Sequence, residues 1–481
     1  MGVLSNLEPK EVFYYFEKIC SIPHPSYKEG RLSDYCLEFA KEHNLKVYQD
    51  ELKNVIIRKE AAPGYEDVAP IILQGHLDMV CEKEQDSTID FENDGLTLAV
   101  DGDFVKAKGT TLGGDDGIAV AYALAILASD TIAHPKLEVV FTVCEEVGME
   151  GATGIDVSML EGRKLLNLDS EEEGYMLASC AGGCSAECIL PTAWETKTGT
   201  ALDIKVTGLL GGHSGVEIDK GRANANILMG RLLLEAQRTA EYAIVSLTGG
   251  SKDNAIPRET KARILVKPDQ AETLIKAVEE TGKNIAGEYS VCDPKIRITV
   301  SSAGEVTGEV LQKETARKVV LLLTQLPNGI QSMSANIEGL VETSLNLGVL
   351  ALNREKLSLR YSVRSSVKTA KEYIVSRLEA LVLYLGGSLI RTGDYPAWEY
   401  KKDSEFREDV IRIYKEMYGR EPVIQAIHAG VECGILSGKL EDLDCISLGP
   451  DISGIHTTEE KLSISSTKRV WEYILEVIKC K

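Results

Sequence analysis

Three acidic segments stand out in the sequence: His76-Leu77-Asp78, Cys144-Glu145-Glu146 and Leu168-Asp169. Each follows an apolar run, over residues 68–73, 137–143 and 164–168 in turn. Runs of that length predict strands buried on both faces of a parallel sheet. In such sheets the active site lies outside the carboxyl ends of the strands, which is where these side chains fall. Imidazole and carboxylate converging there without thiolates suit a hydrolytic metal centre better than a structural zinc site. The chemistry to expect is attack by a metal-activated water.

His76 and Asp78 are two residues apart, so in extended backbone they point the same way, and one can ligate a metal while the other orients it. The pair alone is a weak signal; its company gives it weight. Thr110-Thr111-Leu112-Gly113-Gly114-Asp115-Asp116-Gly117 is a glycine-rich turn ahead of an Ala-rich helix predicted over 118–128. A phosphate loop would carry Lys where Asp115 and Asp116 stand, and their charges would repel phosphate. A cation suits the pair, with Asp115 on the metal and Asp116 capping the helix. Glu145 and Glu146 face opposite ways if the strand continues through them, so one can coordinate while the other takes a proton from water. Spacing does not say which does which. The run Glu171-Glu172-Glu173 after Asp169 reads as solvated and receives no role. His76, Asp115, one of Glu145 and Glu146, Asp169 and His456 make five donors, more than one catalytic zinc takes from protein. Two metals are implied, and if Asp115 bridges them each has three protein ligands and room for water, at the separation of about 3.5–4 Å usual for paired-metal sites.

The elements that must position these residues follow a rhythm. Helical periodicity over 9–19 and 30–43 opens the chain, and strands then alternate with helices to about residue 187, predicting a mostly parallel sheet between helices. From 188 to 388 the pattern changes to paired strands followed by a helix. One set runs 242–247, 260–266 and helix 270–281; the second runs 341–351, 356–363 and helix 369–384. The repeat predicts an inserted α+β lid domain of two ferredoxin-like halves. From about 389 αβ character returns, with a helix over 405–418 and a strand over 444–448 leading to His456. The fold class is therefore α/β, with a discontinuous catalytic domain (1–187 and 389–481) interrupted by the lid (188–388).

Composition narrows the function. At 481 residues the chain is too long for one core. A net charge of -21 argues against nucleic acid as a partner, because phosphate binding needs clustered Lys and Arg. No apolar run approaches the length of a membrane span, and residues 1–10 lack the features of a signal peptide. Gly2 invites myristoylation, but Asn6 stands where Ser or Thr is required. Eleven cysteines sit mostly in apolar stretches without a C-x-x-C pair, as small core hydrophobes in a reducing compartment. The expected location is the cytoplasm.

Six ordered segments carry a resemblance that spans essentially the whole chain: 75–80, 109–117, 145–149, 167–171, Gly211-Gly212-His213-Ser214-Gly215, and Gly454-Ile455-His456-Thr457. In these the chain resembles the aminoacyl-histidine dipeptidases (the peptidase D, or cytosol non-specific dipeptidase, family) within the carnosinase and aminoacylase-like dinuclear zinc peptidases. The resemblance implies a zinc metalloprotease-type dipeptidase that opens unblocked dipeptides, Xaa-His among them, with two Zn2+ per chain that Mn2+ or Co2+ can replace. It implies His76, Asp115, Glu146, Asp169 and His456 as ligands, Asp115 as the bridge, Glu145 as general base and Asp78 as the partner of His76. It implies substrate binding by His213 at the scissile carbonyl, by Asn254, and by Arg364 through the free carboxylate. His428 and Glu432 are typical of one family segment but receive no role. In relatives with a single ferredoxin-like lid, a partner subunit supplies a lid histidine. A doubled lid predicts a chain competent as a monomer, although a homodimer can still form.

Two other functions compete with this one. An N-acyl amino acid deacylase shares the scaffold's motifs, but the length and the doubled insert favour the dipeptidase. A metal-binding scaffold without catalysis would have no need of a base beside its ligands, and Asp78 with Glu145 argues against it.

Overall fold

The computed structural model describes residues 2–480, and the chain divides into two compact units. The first comprises the chain through Cys180, Tyr400–Ala426 and the chain from Val431 onward; the second comprises Ala181–Glu399 and Ile427–Gly430.

The first unit is built on an eight-stranded sheet. Its order across the sheet is Lys46–Gln49, Val55–Lys59, Leu137–Thr142, Ile71–His76, Lys164–Asn167, Asp444–Ser447, Tyr175–Cys180 and Val423–Ile427. The middle four strands are parallel, while the flanking pairings at Val55–Lys59 and Tyr175–Cys180 are antiparallel, so the sheet is mixed. Ile71–His76 and Leu137–Thr142 are buried along their whole length, as central strands covered on both faces are, although Gln74, Glu138 and Thr142 are polar. Leu73 pairs with Val139 and Leu166, which brings the ends carrying His76, Glu145 and Asp169 to one edge. The helix Gly114–Ala128 is buried on nearly every face. It packs against the opening helix Lys10–Cys20 closely enough that a Cβ on Gly117 would lie 3.4 Å from the Phe16 ring.

The second unit is built on a nine-stranded sheet in which every described pairing is antiparallel, with a separate two-stranded pairing of Gly212–His213 and Ala255–Ile256. Trp194–Thr207, helix Ala225–Thr239, Tyr242–Gly249, Thr260–Val266, helix Ala271–Glu288 and Arg297–Leu311 form a β-α-β-β-α-β unit. Its four strands lie in the spatial order fourth, first, third, second, the ferredoxin-like arrangement. Gly182–Pro191, helix Lys313–Gln325, Val341–Leu352, Lys356–Ser365, helix Lys368–Tyr384 and Ser388–Tyr395 repeat that pattern with the same strand order. The first strand of this second half precedes the whole first half, which is thus nested inside it. Thr248 and Gly249 pair with Ala351 and Leu350 and join the halves edge to edge. No helix among the described residues is long and apolar enough to cross a membrane.

Candidate metal centre

Each acidic segment leaves its strand at the predicted edge. His76 is the last residue of its strand, Glu145 and Glu146 follow Thr142 by three and four residues, and Asp169 follows Asn167 by two. His76 is 1% exposed. Its Nδ1 lies 3.0 Å from the backbone carbonyl oxygen of Asp78. Donation to that carbonyl fixes the tautomer and leaves the Nε2 lone pair free. Nε2 faces Asp115 Oδ1 at 3.2 Å and Asp169 Oδ1 at 3.6 Å. His456 presents Nε2 to Glu146 Oε1 at 2.8 Å and to Asp115 Oδ2 at 3.4 Å. The Asp115 carboxylate therefore stands between the two histidines with one oxygen toward each.

Asp78 serves three neighbours at once. Its carboxylate accepts the backbone N–H of Glu145 at 2.9 Å and of Glu146 at 3.2 Å, and the Ser26 hydroxyl at 2.8 Å. One carboxylate thus holds the first strand end and the Glu145–Glu146 turn together. Glu145 lies with His76 and Glu146 in a cluster whose ligand atoms are all within 4.8 Å of one another.

Asp116 takes a different place from the predicted helix cap. The glycine-rich turn is not helical at Asp115 and Asp116, and Gly113, in the left-handed region at φ 66°, occupies the cap position. The Asp116 carboxylate instead accepts the backbone N–H of His76 at 3.1 Å. That approach requires Gly75, where a Cβ would lie 2.6 Å from Asp116 Oδ2. Asp116 also falls within 4.8 Å of His76 and Asp169, but its oxygen already holds backbone, and Asp115 faces both imidazoles.

The electrostatics are those of a site that wants cations. Burial pushes the Glu145 carboxyl well above its ordinary range, and the Asp169 charge adds to this. Asp169 is pushed up to about 6, chiefly by burial, with Asp115 and Glu146 contributing. Burial alone would lower His76, yet Asp169, Asp115 and Asp78 raise it well above the usual imidazole value. His456 is raised to about 10 by its contacts with Asp115 and Glu146. The three carboxylates and two imidazoles, with mutual repulsion among the acids, are of the hard and borderline donor types that could hold divalent ions.

Two supporting acids have no role in the sequence reading, which passes over Glu460 and names Glu432 without assigning it one. The Glu460 carboxylate accepts the backbone N–H groups of Leu112 at 2.8 Å, Gly113 at 3.2 Å and Gly114 at 2.8 Å, cradling the turn that delivers Asp115. Nothing local marks it, since Glu459-Glu460 reads as a surface pair. Glu432 is fully buried, and its carboxylate contacts Gln74 and Thr142. Burial pushes it up to about 8. A lone charge among Val431, Cys433 and Gly434 was the available signal. The Glu171–Glu173 run is not simply solvated either: Glu173 forms a two-pronged ion pair with Arg469 at 2.6 and 2.7 Å.

The lid-unit residues form a group of their own. His213 Nδ1 accepts the N–H groups of Gly215 and Val216, each at 3.2 Å, which leaves Nε2 as its donor. Arg364 donates to the Tyr395 hydroxyl at 3.0 Å, and its Nε is buried without a partner. His428 Nε2 lies 2.7 Å from the Ser344 hydroxyl. A Cβ on Gly215 would meet the His428 carbonyl, His213 Cε1 and Arg364 Nε within 3.2 Å, so these three residues converge on that glycine. The Asn254 carbonyl accepts the Ser214 N–H at 2.9 Å.

A strand-edge cluster of this composition defines a metallohydrolase-like centre, and comparison assigns the family. The chain belongs to peptidase family M20/M25/M40, whose sequence profile matches residues 72–479. It is 37% identical over 486 aligned residues to the cytosol non-specific dipeptidase of Escherichia coli, covering 100% of this chain and 99% of that protein. The crystal structure of aminoacylhistidine dipeptidase from Vibrio alginolyticus superposes with a TM-score of 0.94 at 35% identity, covering 99% of this chain and 97% of that one. The fold extends to the aminopeptidase PepT of Bacillus cereus, at a TM-score of 0.56 and 14% identity over 98% of both chains.

Proposed function

We propose that this chain is a metal-dependent dipeptidase that hydrolyses unblocked dipeptides, Xaa-His and others, with His76, Asp115, Glu146, Asp169 and His456 holding two divalent ions. Zinc is the proposed metal, with manganese or cobalt able to replace it. The observation that carries the reading is the Asp115 carboxylate, which turns one oxygen to the His76 imidazole and the other to that of His456. His76 and Asp169 would hold one ion and His456 and Glu146 the other, with Asp115 shared. Paired ions of this kind supply a water acidified to near neutrality and a Lewis acid for the scissile carbonyl.

The chain's own residues do the rest. Glu145 takes a proton from the attacking water and returns it to the leaving amine nitrogen. A carboxyl raised by burial is matched to that task, because its greater proton affinity makes it a stronger base toward the attacking water. Asp78 holds the His76 ring and the Glu145–Glu146 backbone in place. His213, with Nε2 left to donate, is the proposed partner of the carbonyl oxygen, and Arg364, buried with Nε unpaired, the proposed partner of the substrate carboxylate. Asn254 is proposed to bind substrate beside them. The dipeptidase names of the two closely similar relatives favour free dipeptides over N-acyl amino acids.

Chelation tests this reading. Protein stripped of metal should lose turnover of unblocked dipeptides, and zinc, manganese or cobalt should restore it. N-acetylated dipeptides should be turned over far more slowly than their free forms. Activity that persists after complete metal removal, or a preference for the acetylated forms, would sink the proposal.

A further inference from the structure

The strands that carry the metal donors are joined beneath those donors by a buried polar chain. Asn167 Nδ2 donates to Gln74 Oε1 at 2.6 Å, and Gln74 Nε2 donates to Glu432 Oε2 at 2.5 Å. The Thr142 hydroxyl donates to the same Glu432 oxygen at 2.6 Å. All four residues are at most 1% exposed. Gln74 lies two residues before His76, Thr142 three before Glu145, and Asn167 two before Asp169. Residues two apart on a strand share a face, so Gln74 lies on the face that presents His76. Glu432 itself comes from a distant part of the chain, as the first residue of the helix Glu432–Lys439.

A carboxylate in this position is an odd choice for stability alone. Gln74 and Thr142 would be equally well bridged by a neutral acceptor, and burying a carboxyl is costly unless it is fully paired. Glu432 Oε1 has no hydrogen-bond partner. The polarity of the chain is nevertheless uniform. Asn167 gives to Gln74, Gln74 gives to Glu432, and Thr142 gives to Glu432, so the acceptor at Glu432 sets the orientation of both amides.

We propose that Glu432 is a positioning residue for the metal centre, its Oε2 tying the three adjacent strand ends that present His76, Glu145–Glu146 and Asp169. This rests on the metal reading above. Removing the acceptor frees the Gln74 amide to rotate, breaks its link to Asn167 and lets the three strand ends relax independently, although no donor to metal has been taken away. Partners that orient metal ligands from behind are commonly worth about 10–100-fold in affinity or activity.

The test compares wild type with Glu432→Gln and Glu432→Met, reading zinc affinity by chelator competition, the visible absorption of the Co2+-loaded protein, and the melting temperature of the metal-free protein. Glu432→Met is expected to bind zinc about 10–100-fold more weakly and to shift the Co2+ bands. Glu432→Gln keeps an oxygen for Gln74 and Thr142 and should restore affinity and bands most of the way to wild type. A loss of fold alone would lower the metal-free melting temperature without changing the Co2+ bands. If Glu432→Met does not fold, Thr142→Val and Gln74→Met each remove one donor to the same oxygen, and both must weaken zinc binding. Wild-type zinc affinity in Glu432→Met, or in both single-donor variants, overturns the proposal. So does a Glu432→Gln protein no better than Glu432→Met, because charge rather than the acceptor would then be at work. Failure of the metal reading looks different: wild type itself would take up no zinc.

Discussion

Glu145 and Asp78 meet at one turn, where the Asp78 carboxylate accepts the Glu145 backbone N–H, and replacing them should have separable effects. Glu145 holds no structural contact that the metal donors depend on, whereas Asp78 braces His76 and the backbone of Glu145 and Glu146. Glu145→Ala is expected to keep both ions by elemental analysis yet lose roughly 10²–10⁴-fold in kcat, the usual worth of a general base. Near-normal turnover would remove Glu145 from that role. Asp78→Ala should instead weaken metal binding together with activity, by about 10–100-fold, and added zinc should partly rescue it. Both positions stand out in the sequence because each follows an apolar run, where an acid is out of place unless chemistry needs it, but only the family resemblance separates Glu145 from Glu146 as the base. Asp116 was read less well. Its hydrogen bond to the His76 backbone depends on Gly75 leaving room across two elements 40 residues apart in the chain, and no local pattern contains that.

At the scale of elements, the strands at 71–76, 137–142 and 164–167 could be anticipated because burial on both faces favours runs in which apolar residues predominate, whichever way the side chains point. The antiparallel outer pairings could not, since strand direction at a sheet edge leaves no mark on hydrophobicity. The turn before Gly114–Ala128 shows a further limit. Its glycines announced a tight turn, but what holds the turn is the Glu460 carboxylate, 345 residues beyond Asp115 in the chain. A buried donor left without its acceptor costs roughly 1–3 kcal/mol, and three such donors depend on Glu460. Glu460→Ala is therefore expected to lower the unfolding free energy by about 3 kcal/mol and to weaken metal binding through Asp115. Denaturant titration of the metal-free protein measures the first effect. A loss of less than about 1 kcal/mol would mean that water replaces the carboxylate and that the turn holds itself.

Over the whole molecule, the lid unit bears on how many chains a working site needs. Its two halves share the strand order of a ferredoxin-like unit and are joined through Thr248–Gly249 and Leu350–Ala351 into one sheet. Sequence periodicity exposed both halves because their strand pairs and helices repeat about 100 residues apart. It hid the nesting, because Gly182–Pro191 pairs with Lys356–Ser365 and Ser388–Tyr395, and register between distant strands is not written in either one. A lid already doubled within one chain can present to itself the surface that a single-lid relative takes from a partner subunit. His213 and Arg364 belong to opposite halves of the duplication, one after the strand Trp194–Thr207 and the other within Lys356–Ser365, and yet both reach Gly215. Catalysis is therefore expected to need only one chain. His213→Ala and Glu145→Ala proteins, each inactive alone, should remain inactive when co-expressed with different tags and purified through both. A site assembled from two chains would behave otherwise, because a mixed dimer would contain one complete set of residues. Recovery of a substantial part of wild-type turnover in the doubly purified protein would show that His213 acts across subunits and that the duplication does not make the chain self-sufficient.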